Sequence, residues 1–202
     1  MSDRIPNTRN IAVYCASSEG LDPSFMRLAK DTGTAIATRG YGLVYGGGGA
    51  GLMGQTARAV LENGGTVLGV IPEFLMNAEN AMSGIRQKIV PDMHARKLDM
   101  FNAADAFIIL PGGIGTLEEA VEVISWQRLQ LHQKPIVFVS ETDYWTPLMS
   151  FMQQTIDVKL SPSWLLGDIF LASSANDALD RIETDWASPP KDLKPVVPIS
   201  KV

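Results

Sequence analysis

Two glycine-rich turns constrain the fold of this 202-residue chain most, because each lies between a short apolar run and a helical pattern. The first turn, 46–54, follows the apolar run 41–45, and the second, 111–119, follows the run 106–110. Glycines let a backbone approach a phosphate closely, and the helix that follows offers unpaired N–H groups and the positive end of its dipole. The two turns therefore predict a phosphorylated, nucleotide-like ligand.

Strand-like and helix-like segments alternate along the whole chain. Apolar runs predict strands at 11–16, 41–45, 66–71, 106–110, 135–139 and 169–172. Helical spacing of apolar residues predicts helices at 25–39, 53–62, 92–103, 116–130, 145–157 and 176–184. Such alternation predicts an α/β fold, a Rossmann-like, doubly wound and mainly parallel sheet with helices on both faces. The segment 73–89 has no clear pattern and is predicted as either a loop over a site or a plain connection.

Ligands of such sheets bind beyond the carboxyl ends of the strands, where the strand order reverses. Both glycine turns follow strands directly, so we expect them to face one crevice. We predict a single domain over residues 1–187. The tail 188–202 is rich in proline and is predicted to be extended or disordered.

Composition excludes several classes of function. A net charge of -5 without a basic stripe argues against nucleic-acid binding. Cys15 is the single cysteine, and with two histidines the chain cannot form a Cys/His zinc site, so no metal is expected. Residues 1–10 lack the apolar stretch of a signal peptide, and no apolar run is long enough for a bilayer. These features predict a cytoplasmic protein without a membrane partner.

Neither glycine turn is a Walker loop, because no Gly-Lys-Ser/Thr sequence follows it. The first turn matches Gly-x-Gly-x-x-Gly at 49–54, but Val-Ile-Pro at 70–72 replaces the acidic residue that dinucleotide binding requires. The first turn is therefore either part of a phosphate site or a tight turn with close packing.

The second turn is more specific. Thr116 is predicted to cap the following helix and to bond a phosphate oxygen. Glu118 and Glu119 are placed in the first helical turn, where they either complement the helix dipole or act in catalysis. Between the turns, Arg96 and Lys97 are consecutive and cannot share one helix face, so one of them is expected to face the crevice.

Together, the segments 47–54, 93–97 and 111–119 resemble the motif set of the LONELY GUY family, the cytokinin riboside 5'-monophosphate phosphoribohydrolases. Both signature motifs, Pro-Gly-Gly-x-Gly-Thr-x-x-Glu and Met-His-x-Arg-Lys, are intact. The resemblance implies hydrolysis of the N-glycosidic bond of adenosine 5'-monophosphates, with or without an N6 substituent. It also implies a homodimer, and no cofactor.

Carried over by residue, the resemblance assigns catalysis to Arg96 and Glu119. The nucleotide contacts that it implies are Glu79, Lys97, Gly113, Ile114, Gly115, Thr116, Leu117, Glu118 and Ser125. In the predicted crevice, Ser17 and the first turn, with Gly47 and Gly48, are expected to complete the floor. The loop that holds Glu79 is shorter here than the usual pattern.

Two alternatives to the phosphoribohydrolase remain at this point. The turns would also suit a nucleotide carrier or sensor without chemistry, similar to molybdenum-cofactor carriers, or a general AMP nucleosidase. The family's older label of lysine decarboxylase has little support, because a pyridoxal enzyme needs a Schiff-base lysine with its cofactor partners. Trp126, Leu129 and Leu131 are predicted either to form the dimer contact or to lie in the core.

Overall fold

The computed structural model describes residues 4–6, 8–76 and 80–189. Within these ranges strands and helices alternate as the sequence predicts. The strands are β1 (Asn10–Tyr14), β2 (Gly42–Tyr45), β3 (Val67–Pro72), β4 (Arg86–Val90), β5 (Ala106–Ile109), β6 (Ile136–Val139) and β7 (Ile169–Ala172). The helices are α1 (Pro23–Thr38), α2 (Gly51–Glu62), α3 (Met93–Ala103), α4 (Ile114–Arg128), α5 (Thr146–Asp157) and α6 (Ala175–Ala187). Single 3₁₀ turns lie at Glu73–Leu75, Asp143–Trp145 and Leu165–Asp168.

The seven strands form one sheet in the order β4-β3-β2-β1-β5-β6-β7, and every neighbouring pair is parallel. In the register, Ile11 of β1 lies opposite Leu43 of β2 and Ala106 of β5. The chain therefore builds the sheet outward from β1 in one direction and then from β5 in the other. The strand order reverses between β1 and β5, which confirms the prediction of a Rossmann-like, doubly wound fold.

Helices cover both faces of the sheet. Ile11 and Val13 of β1 belong to a core shared with α1, α2 and α6. The alternate residues, Ala12 and Tyr14, belong to the core shared with α3, α4 and α5. Since successive strand residues point to opposite faces, a strand buried on both sides must be apolar throughout, which explains the uninterrupted apolar run of β1.

Strand β4 is missing from the sequence prediction, which gave 73–89 as irregular. It is an edge strand, and Val90 alone among its five residues is buried. A half-exposed strand at a sheet edge tolerates the polar sequence Arg-Gln-Lys, so it leaves no apolar run to recognise.

The start of α1 agrees with the sequence prediction. The carboxylate of Asp22 accepts a hydrogen bond from the Ser24 N–H at 2.8 Å, and Pro23 occupies the first helical position. Asp22 is therefore the N-cap of α1.

Of the three residues predicted for a dimer contact or the core, one is buried, one is partly buried and one is exposed. The ring of Trp126 is 6 % exposed and packs edge-on against Phe101 with centroids 4.7 Å apart. Leu131 packs against the same core, whereas Leu129 is 38 % exposed. Trp126 is therefore a core residue, which is the second of the two alternatives that the sequence left open.

Of the predicted proline-rich tail, residues 190–202 lie outside the described part of the chain, so the boundary at residue 187 stays a prediction. Among the described helices, none combines the length and apolarity needed to cross a bilayer.

His132 is buried in the second core and is held in one tautomer. Its Nε2 lies 2.8 Å from the Val123 carbonyl, and its Nδ1 accepts the Lys134 N–H at 3.1 Å. Since Nδ1 accepts a hydrogen bond, Nε2 carries the proton and the ring is neutral. Burial lowers the pKa of His132 to about 4, although the Val123 carbonyl acts in the opposite direction.

This histidine predicts a pH-dependent stability. Between pH 6.5 and about 4 the unfolded chain binds a proton at His132 that the folded protein does not, so the free energy of unfolding falls as the pH falls. The expected loss is roughly 3 kcal/mol over this window. Urea unfolding between pH 7 and 4.5 should show a weaker pH dependence in His132→Gln than in the wild type. The exposed His94 provides the control. If His94→Gln weakened the pH dependence of the unfolding free energy as much as His132→Gln, the assignment of this dependence to His132 would be contradicted.

Candidate functional site

A cleft of about 350 Å³ lies at the carboxyl end of the sheet, between the loops that follow β1 and β5. The two loops are joined by a hydrogen bond from the Ala16 N–H to the Pro111 carbonyl at 3.2 Å. Because the strand order reverses between these two strands, their loops diverge and leave room for a ligand.

The cleft is lined by residues of five segments: the β1 loop, the start of α2, the 3₁₀ turn after β3, the start of α3, and the start of α4. The lining residues are Cys15, Ala16, Ser17, Ser18, Met53, Leu75, Met93, Arg96, Gly113, Ile114, Gly115, Thr116, Glu118 and Glu119. The structure thus brings both predicted catalytic residues, Arg96 and Glu119, to one cleft with Ser17 and most of the second turn.

The second turn opens toward this cleft. Gly113 precedes the first residue of α4, and no side chain caps the helix. A Cβ atom at Gly113 or Gly115 would meet nothing within 4 Å. Glycine is therefore not required there by packing, and its effect is to leave the N–H groups at the positive end of α4 accessible to an anion.

Two details of this turn differ from the sequence prediction. Thr116 does not cap α4 but is its third residue, 5 % exposed, with its side chain beneath Gly112. Glu118 and Glu119 lie in the second helical turn, because α4 begins at Ile114. The two glutamates are therefore one turn removed from the N–H groups that complement an anion.

Arg96 lines the cleft and lies beside the first turn. The residue is 4 % exposed, and its guanidinium donates a hydrogen bond from Nη2 to the Gly46 carbonyl at 2.9 Å. Nη1 lies 3.7 Å from the sulfur of Met93. A Cβ atom at Gly46 would stand 2.0 Å from Nη2, so this position accepts only glycine while Arg96 lies there.

The charge of Glu119 acts on two buried groups at the end of β1, the Tyr14 hydroxyl and the Cys15 thiol. Burial raises the pKa of Tyr14 well above its ordinary value, and the charges of Glu119 and Glu122 raise it further. Burial also raises the pKa of the Cys15 thiol, and the charge of Glu119 acts in the same direction. Cys15 is therefore a neutral thiol and not a nucleophile, although it lines the cleft.

Lys97 points away from Arg96, as expected for consecutive helix residues. Its ammonium lies 2.5 Å from Glu118 and 3.1 Å from Glu122, both on α4. Burial lowers the pKa of Lys97, but the hydrogen bonds to Glu118 and Glu122 outweigh burial, so that the pKa is raised. Lys97 is therefore a cation that links α3 to α4 at the rim of the cleft. Among the described residues that line the cleft, none is a lysine.

The first turn packs against β3 and the segment that follows it. Gly47 has a φ of +82° and packs against Ile71, and the Met82 N–H donates to its carbonyl at 3.0 Å. Gly48 forms a bridge to Ala81. Neither glycine is among the described residues that line the cleft, and the first N–H groups of α2 donate to the Ala16 carbonyl.

Two further predicted contacts, Ser125 and Leu117, do not line the cleft. Ser125 is exposed on α4, about 16 Å along the helix axis from Ile114. Leu117 is half-buried on the same helix and does not line the cleft. Glu79 lies outside the described residues.

Sequence reasoning missed the apolar wall of the cleft. Met53, Leu75 and Met93 line it opposite the glycine turn. Met53 and Met93 stand at the starts of α2 and α3, within the motif segments 47–54 and 93–97, and this placement was the available signal.

A family model described as "Possible lysine decarboxylase" matches residues 53–182, well over half of the chain. A probable cytokinin riboside 5'-monophosphate phosphoribohydrolase of Oryza sativa subsp. japonica is 41% identical over 177 residues, which cover 87% of this chain and 70% of the relative. A cytokinin riboside 5'-monophosphate phosphoribohydrolase of Rhodococcoides fascians is 45% identical over 150 residues, covering 73% and 76%.

The chain belongs to the LONELY GUY family. The matched region of the family model includes α3, the second glycine turn and α4, and so contains both Arg96 and Glu119.

Solved structures show the fold of this LONELY GUY chain in other proteins. The molybdenum cofactor carrier protein of Chlamydomonas reinhardtii superposes with a TM-score of 0.68 at 19% identity, covering 89% of this chain and 98% of that one. The molybdenum cofactor binding protein of Rippkaea orientalis gives a TM-score of 0.66 at 20% identity, covering 89% and 98%. At such identities the likeness establishes the fold alone.

Proposed function

We propose that this protein hydrolyses the N-glycosidic bond of adenosine 5'-monophosphates, including those with an N6 substituent of the cytokinin type. The products are the free purine base and ribose 5-phosphate. One observation carries the proposal: an open helix N-terminus, a buried guanidinium and a carboxylate line the same cleft at the switch point of the sheet. The names of the relatives, which are phosphoribohydrolases, support the same reaction.

The start of α4 is assigned to the 5'-phosphate. Gly113, Ile114, Gly115 and Thr116 line the cleft and precede or open the helix, where N–H groups lack helical partners. An anion placed there gains several charge-assisted hydrogen bonds and the favourable end of the dipole. The phosphate thereby fixes the position of the ribose relative to the next turn of the helix.

Glu119 is assigned to the sugar. Cleavage of the bond builds positive charge on the ribose, as in other glycosyl transfers. A carboxylate one helical turn from the phosphate site stabilises this charge and orients the attacking water or a ribose hydroxyl.

Arg96 is assigned to the nucleotide opposite Glu119. The departing purine gains electron density, which a buried guanidinium stabilises. The contact with the Gly46 carbonyl holds the guanidinium in place, so that little reorganisation is needed during the reaction.

Release of the base tests the proposal. Chromatography of reactions with AMP, isopentenyl-AMP and adenosine should show free base from both monophosphates. Because the phosphate contributes several charge-assisted contacts, kcat/KM for AMP should exceed that for adenosine by about 100-fold or more. Equal rates with AMP and adenosine would contradict the phosphate site, and no base from any of the three would contradict the hydrolase.

A carrier without chemistry is the alternative, and it rests on fold likeness alone. A carrier would bind the nucleotide and leave it intact, which the same experiment detects. A pyridoxal-dependent decarboxylase is disfavoured, because among the described residues that line the cleft none is a lysine able to form a Schiff base.

The proposal includes a homodimer formed along α4. Val121 and Leu129 are 47 % and 38 % exposed on this helix, and Ser125 lies exposed between them. Ser125 is too far from the cleft of its own chain to line it. A second copy packed on this face would give Ser125 a surface to contact. Light scattering that finds only a 21.9 kDa species would contradict the dimer.

We also place the protein in the cytoplasm. Cys15 is a buried free thiol, which suits a reducing compartment. Cell fractionation that recovers the protein outside the cytoplasmic fraction would contradict this placement.

A further inference from the structure

Tyr144 links the loops that follow β5 and β6 to helix α1. It belongs to the 3₁₀ turn Asp143–Trp145 after β6, and its hydroxyl donates a hydrogen bond to the Gly112 carbonyl at 2.6 Å. Its ring packs edge-on against Phe25 of α1, with centroids 5.8 Å apart, and against Trp145 at 4.9 Å. The side chain is anchored by ring packing and directs its hydroxyl to the second glycine turn.

The hydrogen bond fixes the orientation of the whole peptide between Gly112 and Gly113, and not only that of the carbonyl that accepts it. Peptide bonds in the described part of the chain are trans, so the carbonyl of one residue and the N–H of the next point in opposite directions. With the Gly112 carbonyl held toward Tyr144, the Gly113 N–H must point away from Tyr144. Gly113 lines the cleft and stands immediately before α4, so this N–H belongs to the anion-binding end of the helix.

The Gly112–Gly113 peptide needs such an anchor. Two consecutive glycines have the greatest backbone freedom of any pair, and no Cβ atom restricts rotation of the plane between them. A Cβ at Gly113 would meet nothing within 4 Å, so packing does not restrain this residue from the cleft side. A peptide that rotates freely would present its carbonyl to the phosphate for part of the time, which repels the anion.

We propose that Tyr144 is a positioning residue of the phosphate site. Its hydroxyl holds the Gly112–Gly113 peptide in the orientation that presents an N–H to the 5'-phosphate. The inference rests on the proposed function, because it concerns the phosphate of that substrate. It adds a residue outside both signature motifs, on a loop that does not line the cleft.

Tyr144→Phe removes the hydroxyl and keeps the ring against Phe25 and Trp145. We expect KM for AMP and the inhibition constant of ribose 5-phosphate to rise about three- to tenfold, the value of one neutral hydrogen bond. The inhibition constant of adenine, which carries no phosphate, should stay unchanged. kcat should change less than twofold, because the phosphate is held alike in the ground state and the transition state.

Tyr41→Phe is the matched control. Its hydroxyl donates to Glu183 at 2.9 Å, in contact with α6 and not with the cleft. This variant should keep all wild-type constants. Unchanged constants in Tyr144→Phe would overturn the proposal, and so would an equal rise in the inhibition constants of ribose 5-phosphate and adenine, which indicates general loosening.

A separate measurement distinguishes failure of this inference from failure of the proposed function. If the wild type releases no base from AMP, the hydrolase proposal fails, but calorimetric titration of AMP into wild type, Tyr144→Phe and Tyr41→Phe still measures the phosphate site. Three- to tenfold weaker binding by Tyr144→Phe alone supports the positioning role. Equal affinity of all three proteins overturns it.

Discussion

Replacing Glu119 by glutamine should lower kcat for AMP hydrolysis by about 10³-fold, or roughly 4 kcal/mol of transition-state stabilisation. The side chain lines the cleft one helical turn beyond the residues assigned to phosphate. Glutamine has nearly the same shape but no charge, so it cannot stabilise the positive charge that develops on the ribose. KM should change little, because the phosphate contacts remain. Chromatographic assay of adenine release over a range of AMP concentrations gives both constants.

Glu62→Gln is the control for this variant. Glu62 is exposed at the carboxyl end of α2, away from the cleft, and its replacement should leave kcat unchanged. Circular dichroism should show that both variants are folded. Wild-type turnover by Glu119→Gln would remove Glu119 from the mechanism, and a rise in KM without loss of kcat would reassign it to binding.

The fold could be predicted from the sequence wherever strands are buried on both faces. The apolar runs of β1, β5 and β6 leave no alternative to an interior strand, and each predicted run agrees with the observed strand to within two residues. Strand β4 could not be found in this way, because its position at the sheet edge exposes Arg86 and Ile89 alike. An edge strand is specified by its neighbour, here β3, and not by its own hydrophobic pattern.

The candidate site could be predicted only in part. The second turn is recognisable because its glycines and the following helix are contiguous in sequence. The role of the first turn depends on a contact between Gly46 and Arg96, which are 50 residues apart. The pattern of glycines in a sequence does not reveal whether the space beside them is occupied by a phosphate or by a side chain of the same protein. The same limit applies to Tyr144, whose hydrogen bond to Gly112 spans 32 residues.

Gly46→Ala tests this assignment of the first turn and should reduce kcat/KM for AMP by at least about 100-fold. The new methyl group would stand 2.0 Å from Nη2 of Arg96, so the guanidinium must leave its position and lose the Gly46 carbonyl. Displacement of a catalytic group by about 1 Å is enough for a loss of this size. The overpacking should also lower the free energy of unfolding by about 1–3 kcal/mol.

Gly167→Ala separates the effect on Arg96 from a general effect of alanine. A Cβ at Gly167 would meet nothing within 4 Å, and its φ lies outside the left-handed region, so this variant should match the wild type in activity. If Gly46→Ala were folded and fully active, the guanidinium would not need its contact with the Gly46 carbonyl. The first turn would then have only a packing role. If Arg96→Ala and the double variant Gly46→Ala/Arg96→Ala lose activity to the same extent, the two residues act as one unit. That non-additivity is what the buried contact between them requires, because without the guanidinium the added methyl group would meet only the flexible Met53 side chain, whose sulfur is 3.1 Å away.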